Sequence, residues 1–123
     1  MKIRIRGNSI RYRLTRTDVS RMGTDGVVEE TTRFPDGNRF HYRLERSAAI
    51  KELQATYAEN RITLLIPDDR VREWTGSEII GFRHLVPLPD GSELLLLVEK
   101  DFACLDHTLE DQSDNYPNPN KTC

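Results

Sequence analysis

The opening segment MKIRIRGNSIRYRL carries Lys2, Arg4, Arg6, Arg11 and Arg13 at a spacing of two, interrupted by one short polar break. In an extended chain, residues i and i+2 point to the same side. If Gly7-Asn8-Ser9 turns the chain back on itself, Arg4 comes opposite or diagonal to Arg11, and Lys2 to Arg13. Like charges facing each other across strands cost roughly 0.2–1 kcal/mol per pair, so something must compensate them. One compensator is an anion gripped by guanidinium forks, such as a phosphate. The other is a solvated face neutralised by Glu29, Glu30 or the acidic end of the chain. The expectation is that Lys2, Arg4, Arg6, Arg11 and Arg13 form an anion-contacting basic face.

Other chemistry is thinner. Glu99 and Asp101 share one side of an extended segment and could pair as acid and base. Cys104-Leu105-Asp106-His107 has a Cys-x-x-His spacing, but a zinc site needs a second pair of ligands. The only other cysteine is Cys123, and His41 and His84 fall in separate segments, so neither metal nor cofactor is expected. Asp111-x-x-Asp114 lacks the central Gly and the further ligands of a calcium loop. A lone cysteine such as Cys104 more often packs as a small apolar group than attacks as a nucleophile. No GxSxG, P-loop, HExxH or GxGxxG pattern occurs. The catalytic residues of any enzyme here therefore stay unassigned.

The elements that hold these residues repeat. Residues 8–28 match residues 60–80 at an offset of 52, and residues 35–46 match 89–100 at an offset of 54. Each half reads strand, strand, short helix, strand, strand. Period-two alternation puts Ile3, Ile5, Ile10, Tyr12 and Leu14 on the side away from the cations. Thr15-Arg16-Thr17-Asp18 resembles a capping box with Asp in place of Glu, followed by Val19 and Met22 on one helical face and Gly23 to end the helix. In the second half Asp68 is the expected cap of a helix carrying Val71 and Trp74. Two Pro-Asp-Gly turns, at 35–37 and 89–91, close the later hairpins. The run at 94–98 is apolar on both sides and should be covered on both.

These readings predict a mainly β protein with two short helices. The expected form is an eight-stranded antiparallel barrel of pseudo-two-fold duplicated units, since closure removes strand edges. A two-sheet sandwich is the alternative. The 123 residues are expected to form one domain, with the repeat units at 1–46 and 50–102. Residues 103–123 then make an acidic, Pro/Asn-rich strap that folds back on the positive half, anchored by Phe102, Leu105, Leu109 and Tyr116.

Charge is unevenly spread. Residues 1–46 carry 11 Lys/Arg against 6 Asp/Glu, and the remainder 7 against 14, for a net charge of −2. A dedicated nucleic-acid binder is usually basic overall, and Tyr12 and Tyr42 are expected in the core rather than on a stacking platform. No apolar signal-peptide core is present, and the longest apolar run is too short to span a bilayer. Two cysteines give no disulfide framework. A cytoplasmic setting without membrane or nucleic acid follows as the expectation.

MKIRIRGNSIRYRLT at the start and LVEKDFACL…EDQSDNYPNP at the end resemble a family of small, uncharacterised bacterial proteins, a domain of unknown function. The resemblance covers nearly the whole chain and implies a single-domain bacterial protein, without supplying any site residue. A weaker likeness is to the triphosphate tunnel enzymes, whose eight-stranded barrels hold polyphosphate against inward Lys and Arg. Their first strand carries Glu-x-Glu-x-Lys, whereas this one reads Lys2-Ile3-Arg4-Ile5-Arg6 and lacks those carboxylates. The functional expectation is a binding or interaction domain that meets a phosphate-bearing ligand or a protein partner through the basic face. The alternative is a small enzyme acting on a phosphorylated small molecule inside the barrel, using Glu99 or Asp101.

Overall fold

The computed structural model describes residues 1–102 and 114–117. The first hairpin forms as its alternation requires: β1 (Lys2–Ile5) and β2 (Ser9–Leu14) pair antiparallel, with Lys2 opposite Arg13 and Arg4 opposite Arg11. Helix α1 (Arg16–Thr24) follows at once. Thr15 accepts from the Asp18 N–H at 3.3 Å, and Asp18 Oδ2 accepts from the Thr15 N–H at 3.1 Å, so the Asp variant of the capping box is built. The helix runs past Gly23 and ends instead before Gly26, whose φ of +77° suits glycine. Strands β3 (Val27–Arg33) and β4 (Arg39–Ser47) make the second hairpin.

The second half begins later than the pattern suggests, with β5 (Gln54–Ala58) and β6 (Arg61–Pro67) joined through Glu59 and Asn60, both at positive φ. Helix α2 (Asp68–Trp74) starts from Pro67, not from a side-chain cap. Asp68 is its first residue and pairs with Arg46. Strands β7 (Gly81–Pro87) and β8 (Glu93–Lys100) complete the set.

No closed barrel forms among the described residues. The strands make two separate four-stranded sheets, β1-β2-β8-β7 and β3-β4-β6-β5, which fits the two-sheet alternative. Nor are they wholly antiparallel, because the central pairs β2–β8 and β4–β6 run parallel. The reason lies in the connections. Each helix carries the chain from one sheet to the other, so the first hairpin pairs with the last and the second with the third, each sheet taking one hairpin from either half. Among the described residues, β1, β7, β3 and β5 are the edges. The cations on β1 disfavour edge-to-edge pairing there.

The registers of the two sheets match. Tyr12 faces Val98 across β2–β8, and Leu64 faces Leu44 across β6–β4, at the offsets of 52 and 54 read from the sequence. Ser9–Leu95 corresponds in the same way to Arg61–His41, and Leu14–Lys100 to Ile66–Arg46. Between the sheets lies a core of Tyr12, Leu14, Leu44, Leu64, Leu96 and Val98, joined by Val19 and Met22 of α1 and by Val71 and Trp74 of α2. Tyr12 Oη donates to Ile62 O at 3.1 Å and so ties the sheets together. Burial pushes that phenol far above its ordinary pKa. Trp74 is fully buried, and its Nε1 donates to Ile80 O at 3.1 Å. Ile5, expected in the core, is 55% exposed at the end of the β1 edge.

Candidate anion-binding surface

Alternation along β2 and β8 sends Tyr12, Leu14, Leu96 and Val98 inward, and therefore sends Arg11, Arg13, Leu95, Leu97 and Glu99 outward. Continuing the registers across the sheet gives rows on its outer face. One row reads Arg4, Arg11, Leu97, Arg83, and the next reads Lys2, Arg13, Glu99, Gly81. Gly81 is small for a packing reason: a Cβ there would lie 2.1 Å from the Val98 carbonyl oxygen.

The five cations named from the sequence share this face but separate into two groups. Arg4, Arg6 and Arg11, together with Ser9, line a cleft of about 150 Å³ at the turn end of the first hairpin. Arg6 lies just past β1, its N–H bonded to Ser9 O at 3.0 Å. Lys2 and Arg13 lie at the opposite end. There Lys2 Nζ is 3.2 Å from Asp101 Oδ2, and Arg13 lies across from Glu99. Arg11 Nε reaches Glu99 Oε1 at 2.9 Å. Among the described residues, Arg4, Arg6, Arg13 and Arg83 have no ion pair.

Of the expected neutralising groups, Glu29 and Glu30 are engaged elsewhere, and most of the acidic end lies outside the described residues. Glu29 belongs to the other sheet, where it pairs with Arg61 at 2.5 Å and Arg43 at 3.7 Å. Glu30 and Asp18 hold the Met1 ammonium at 3.2 Å and 2.8 Å. Among the described residues, Glu99 and Asp101, the pair considered above as acid and base, meet Arg11 and Lys2 of the first hairpin. Asp101 is only 5% exposed, and each of the two faces a cation.

Asp114 and Tyr116 lie against the first half as well. The Asp114 carbonyl accepts from the Arg16 N–H at 3.1 Å. Its carboxyl is held below the usual range chiefly by a hydrogen bond from the Thr15 side chain, then by Thr17, with Arg16 adding to them. The Tyr116 ring packs edge-on against Phe102, with Arg16 Cζ 5.5 Å and Lys100 Nζ 4.9 Å from its centroid. Lys100 is buried, donates to Ser77 O at 2.7 Å, and has its pKa lowered by desolvation against the opposing pull of Glu78. Cys104, Leu105, Asp106, His107, Leu109, Glu110, Asp111 and Cys123 lie outside the described residues.

Sequence reasoning missed Ser9 and Arg83. Arg83 alternates correctly within its strand, but only the pairing of β8 between β2 and β7 brings it onto the same face as Arg11. A larger hollow of about 660 Å³ beside α2 mixes Lys51, Arg70 and Arg72 with Glu52, Asp68 and Asp69, and so has no single sign of charge. Among the described residues no group of three His, Cys, Asp or Glu is placed to hold a metal, and no helix is long and apolar enough to cross a membrane.

Fold and surface together define a mainly β protein of two four-stranded sheets and two helices, with a one-sided arginine face on the first sheet. Residues 1–120 match the model of a family of unknown function, DUF7009, and the chain belongs to that family. No curated protein and no solved structure matches it.

Proposed function

We propose that this protein is a binding or interaction domain and that the outer face of its first sheet is the contact surface for an anionic partner. The observation that carries this reading is direction. Arg4, Arg11 and Arg13 point away from a core filled with apolar side chains, and Arg4, Arg6 and Arg13 lack a carboxylate among the described residues. An enzyme working inside a barrel would need them turned inward. Guanidinium groups left without a carboxylate supply planar donors for phosphate or carboxylate oxygens at little desolvation cost, because they are already exposed. The reading extends to a bacterial, cytoplasmic setting, with residues 1–46 and 50–102 as two copies of one unit and residues 103–123 as a strap. The matched registers support the two copies, and the contacts of Asp114 and Tyr116 support the strap.

The test is titration with inorganic tripolyphosphate in low and in high salt. Arg4→Gln and Arg6→Gln should each weaken binding about 5–10-fold, the loss expected for one charge-assisted contact. Arg39→Gln changes net charge equally on an exposed position of the other sheet and should leave binding within about twofold. Equal losses from all three variants would reduce the surface to a general charge effect and overturn the site.

A further inference from the structure

The run at 94–98 was expected to be covered on both sides, and the two sides differ. Leu94, Leu96 and Val98 belong to the core, whereas Leu95 and Leu97 belong to no buried cluster. Leu85, opposite Leu95 on β7, is 42% exposed. No described element is seated over these three leucines. They form an apolar patch on β8 and the edge strand β7, in which Leu97 has Arg11 and, beyond it, Arg4 on one side and Arg83 on the other, while Leu95 lies between Ser9 and Leu85.

Building on the reading above, we infer that the partner is an acidic segment of another protein that carries apolar side chains among its carboxylates. Charge complementarity selects the acid: Arg4 and Arg83 flank Leu97 without a carboxylate of their own among the described residues. The patch selects the apolar component, because a bare phosphate or a purely acidic chain would leave the three leucines in water. Burying them supplies a term that salt does not screen, while the arginines fix register and orientation. A partner side chain has to reach down to Leu97, which is half-buried between the longer side chains of Arg11 and Arg83. A flat lipid headgroup layer cannot do that, which favours a protein segment over a membrane surface.

The experiment compares three principal probes on the full chain by titration calorimetry, with a peptide of residues 103–113 and anionic lipid vesicles as controls. One is a soluble peptide of Glu, Gln and Leu with leucines at every third or fourth residue. The second is polyglutamate of equal charge, and the third is inorganic tripolyphosphate. The mixed peptide should bind about tenfold more tightly than polyglutamate, the gain expected from covering roughly one leucine side chain. Leu97→Gln should remove that advantage and leave tripolyphosphate binding unchanged. Leu85→Gln, at a more exposed position, should reduce the advantage in part and guards against a Leu97 variant that folds poorly. Equal affinity for the mixed peptide and polyglutamate would overturn the apolar component while leaving the anion surface intact. Loss of all three interactions, tripolyphosphate included, would overturn the surface itself. A peptide of residues 103–113 that binds more tightly than the mixed probe would make the occupant a segment of this chain and not a partner. Tighter binding to anionic lipid vesicles than to the mixed peptide would likewise overturn the assignment.

Discussion

The outer faces of the two sheets occupy matched registers yet carry opposite solutions to the same electrostatic problem. Across the first sheet the row reads Arg4, Arg11, Leu97, Arg83, and the matched row of the second reads Thr56, Thr63, Arg43, Glu29. In the second sheet Arg43 contacts Glu45 at 2.9 Å as well as Glu29, and Arg61 contacts Glu29, so its central cations are internally matched. In the first, Glu99 answers Arg11 and Asp101 answers Lys2, while the remaining arginines face solvent. A scaffold shared in register thus does not dictate its surface. The difference locates the positions that are free to specialise.

The interior is where the halves should agree most, and the largest expected effect tests that. Met22 and Trp74 are matched by the offset of 52, and both are fully buried against the common core. Trp74→Ala should cost about 3–5 kcal/mol, and Met22→Ala about 2–5 kcal/mol. Either approaches the whole stability of a small domain. Urea melts followed by circular dichroism measure both. A Trp74 variant whose unfolding free energy lies within about 0.5 kcal/mol of the parent would remove the argument that the two helices have equivalent roles.

That interior was largely legible in the sequence, because period-two alternation and helical spacing reflect burial directly. Tyr12, Leu14, Leu44, Leu64 and Trp74 are core residues as their patterns require. Connectivity between sheets was not legible. Alternation specifies which side a residue takes, not which strand lies beside it, so the parallel β2–β8 pairing and the placement of Arg83 stayed hidden. The barrel expectation came from the need to remove edges, a need met on β1 by its cations and not met by charge on β5, which carries none. Ser9 escaped notice because a turn serine gives no signal until the cleft beside it exists.

A sharper contrast lies where each half meets the helix ends. In one, Arg46 pairs with Asp68 and donates to Met22 O at 3.3 Å and Gly23 O at 3.1 Å. In the other, the matched residues are Lys100 and Arg16, two cations, and each lies over the Tyr116 ring. An aromatic face replaces a carboxylate as the group that both cations accept. Tyr116→Ala should therefore cost about 1–2 kcal/mol, more in low salt than in high, because screening relieves the repulsion left behind. Adding Arg16→Asp to that variant should recover part of the loss by recreating the acid–base pair of the other half. Thermal melts showing no loss for Tyr116→Ala, or a further loss on adding Arg16→Asp, would break the parallel between the junctions.

The smallest effect on stability returns to the outer faces. Glu29 is the carboxylate that both Arg43 and Arg61 contact, and its side chain is 28% exposed. Ion pairs this open to solvent contribute about 0–1 kcal/mol, so Glu29→Gln should shift the melting point only slightly. Its effect on binding should be larger, since it releases two guanidinium groups that the second sheet otherwise holds matched. Arg43 keeps Glu45 as a partner, which limits the gain to a surface weaker than that of the first sheet. Tripolyphosphate titrations of Glu29→Gln combined with Arg4→Gln should recover binding lost by Arg4→Gln alone. If Glu29→Gln adds no binding, free arginine is insufficient to make an anion site on this scaffold. The cleft formed by Arg4, Arg6, Ser9 and Arg11 would then carry the selectivity through its shape, and not through Arg4 and Arg6 lacking a carboxylate among the described residues.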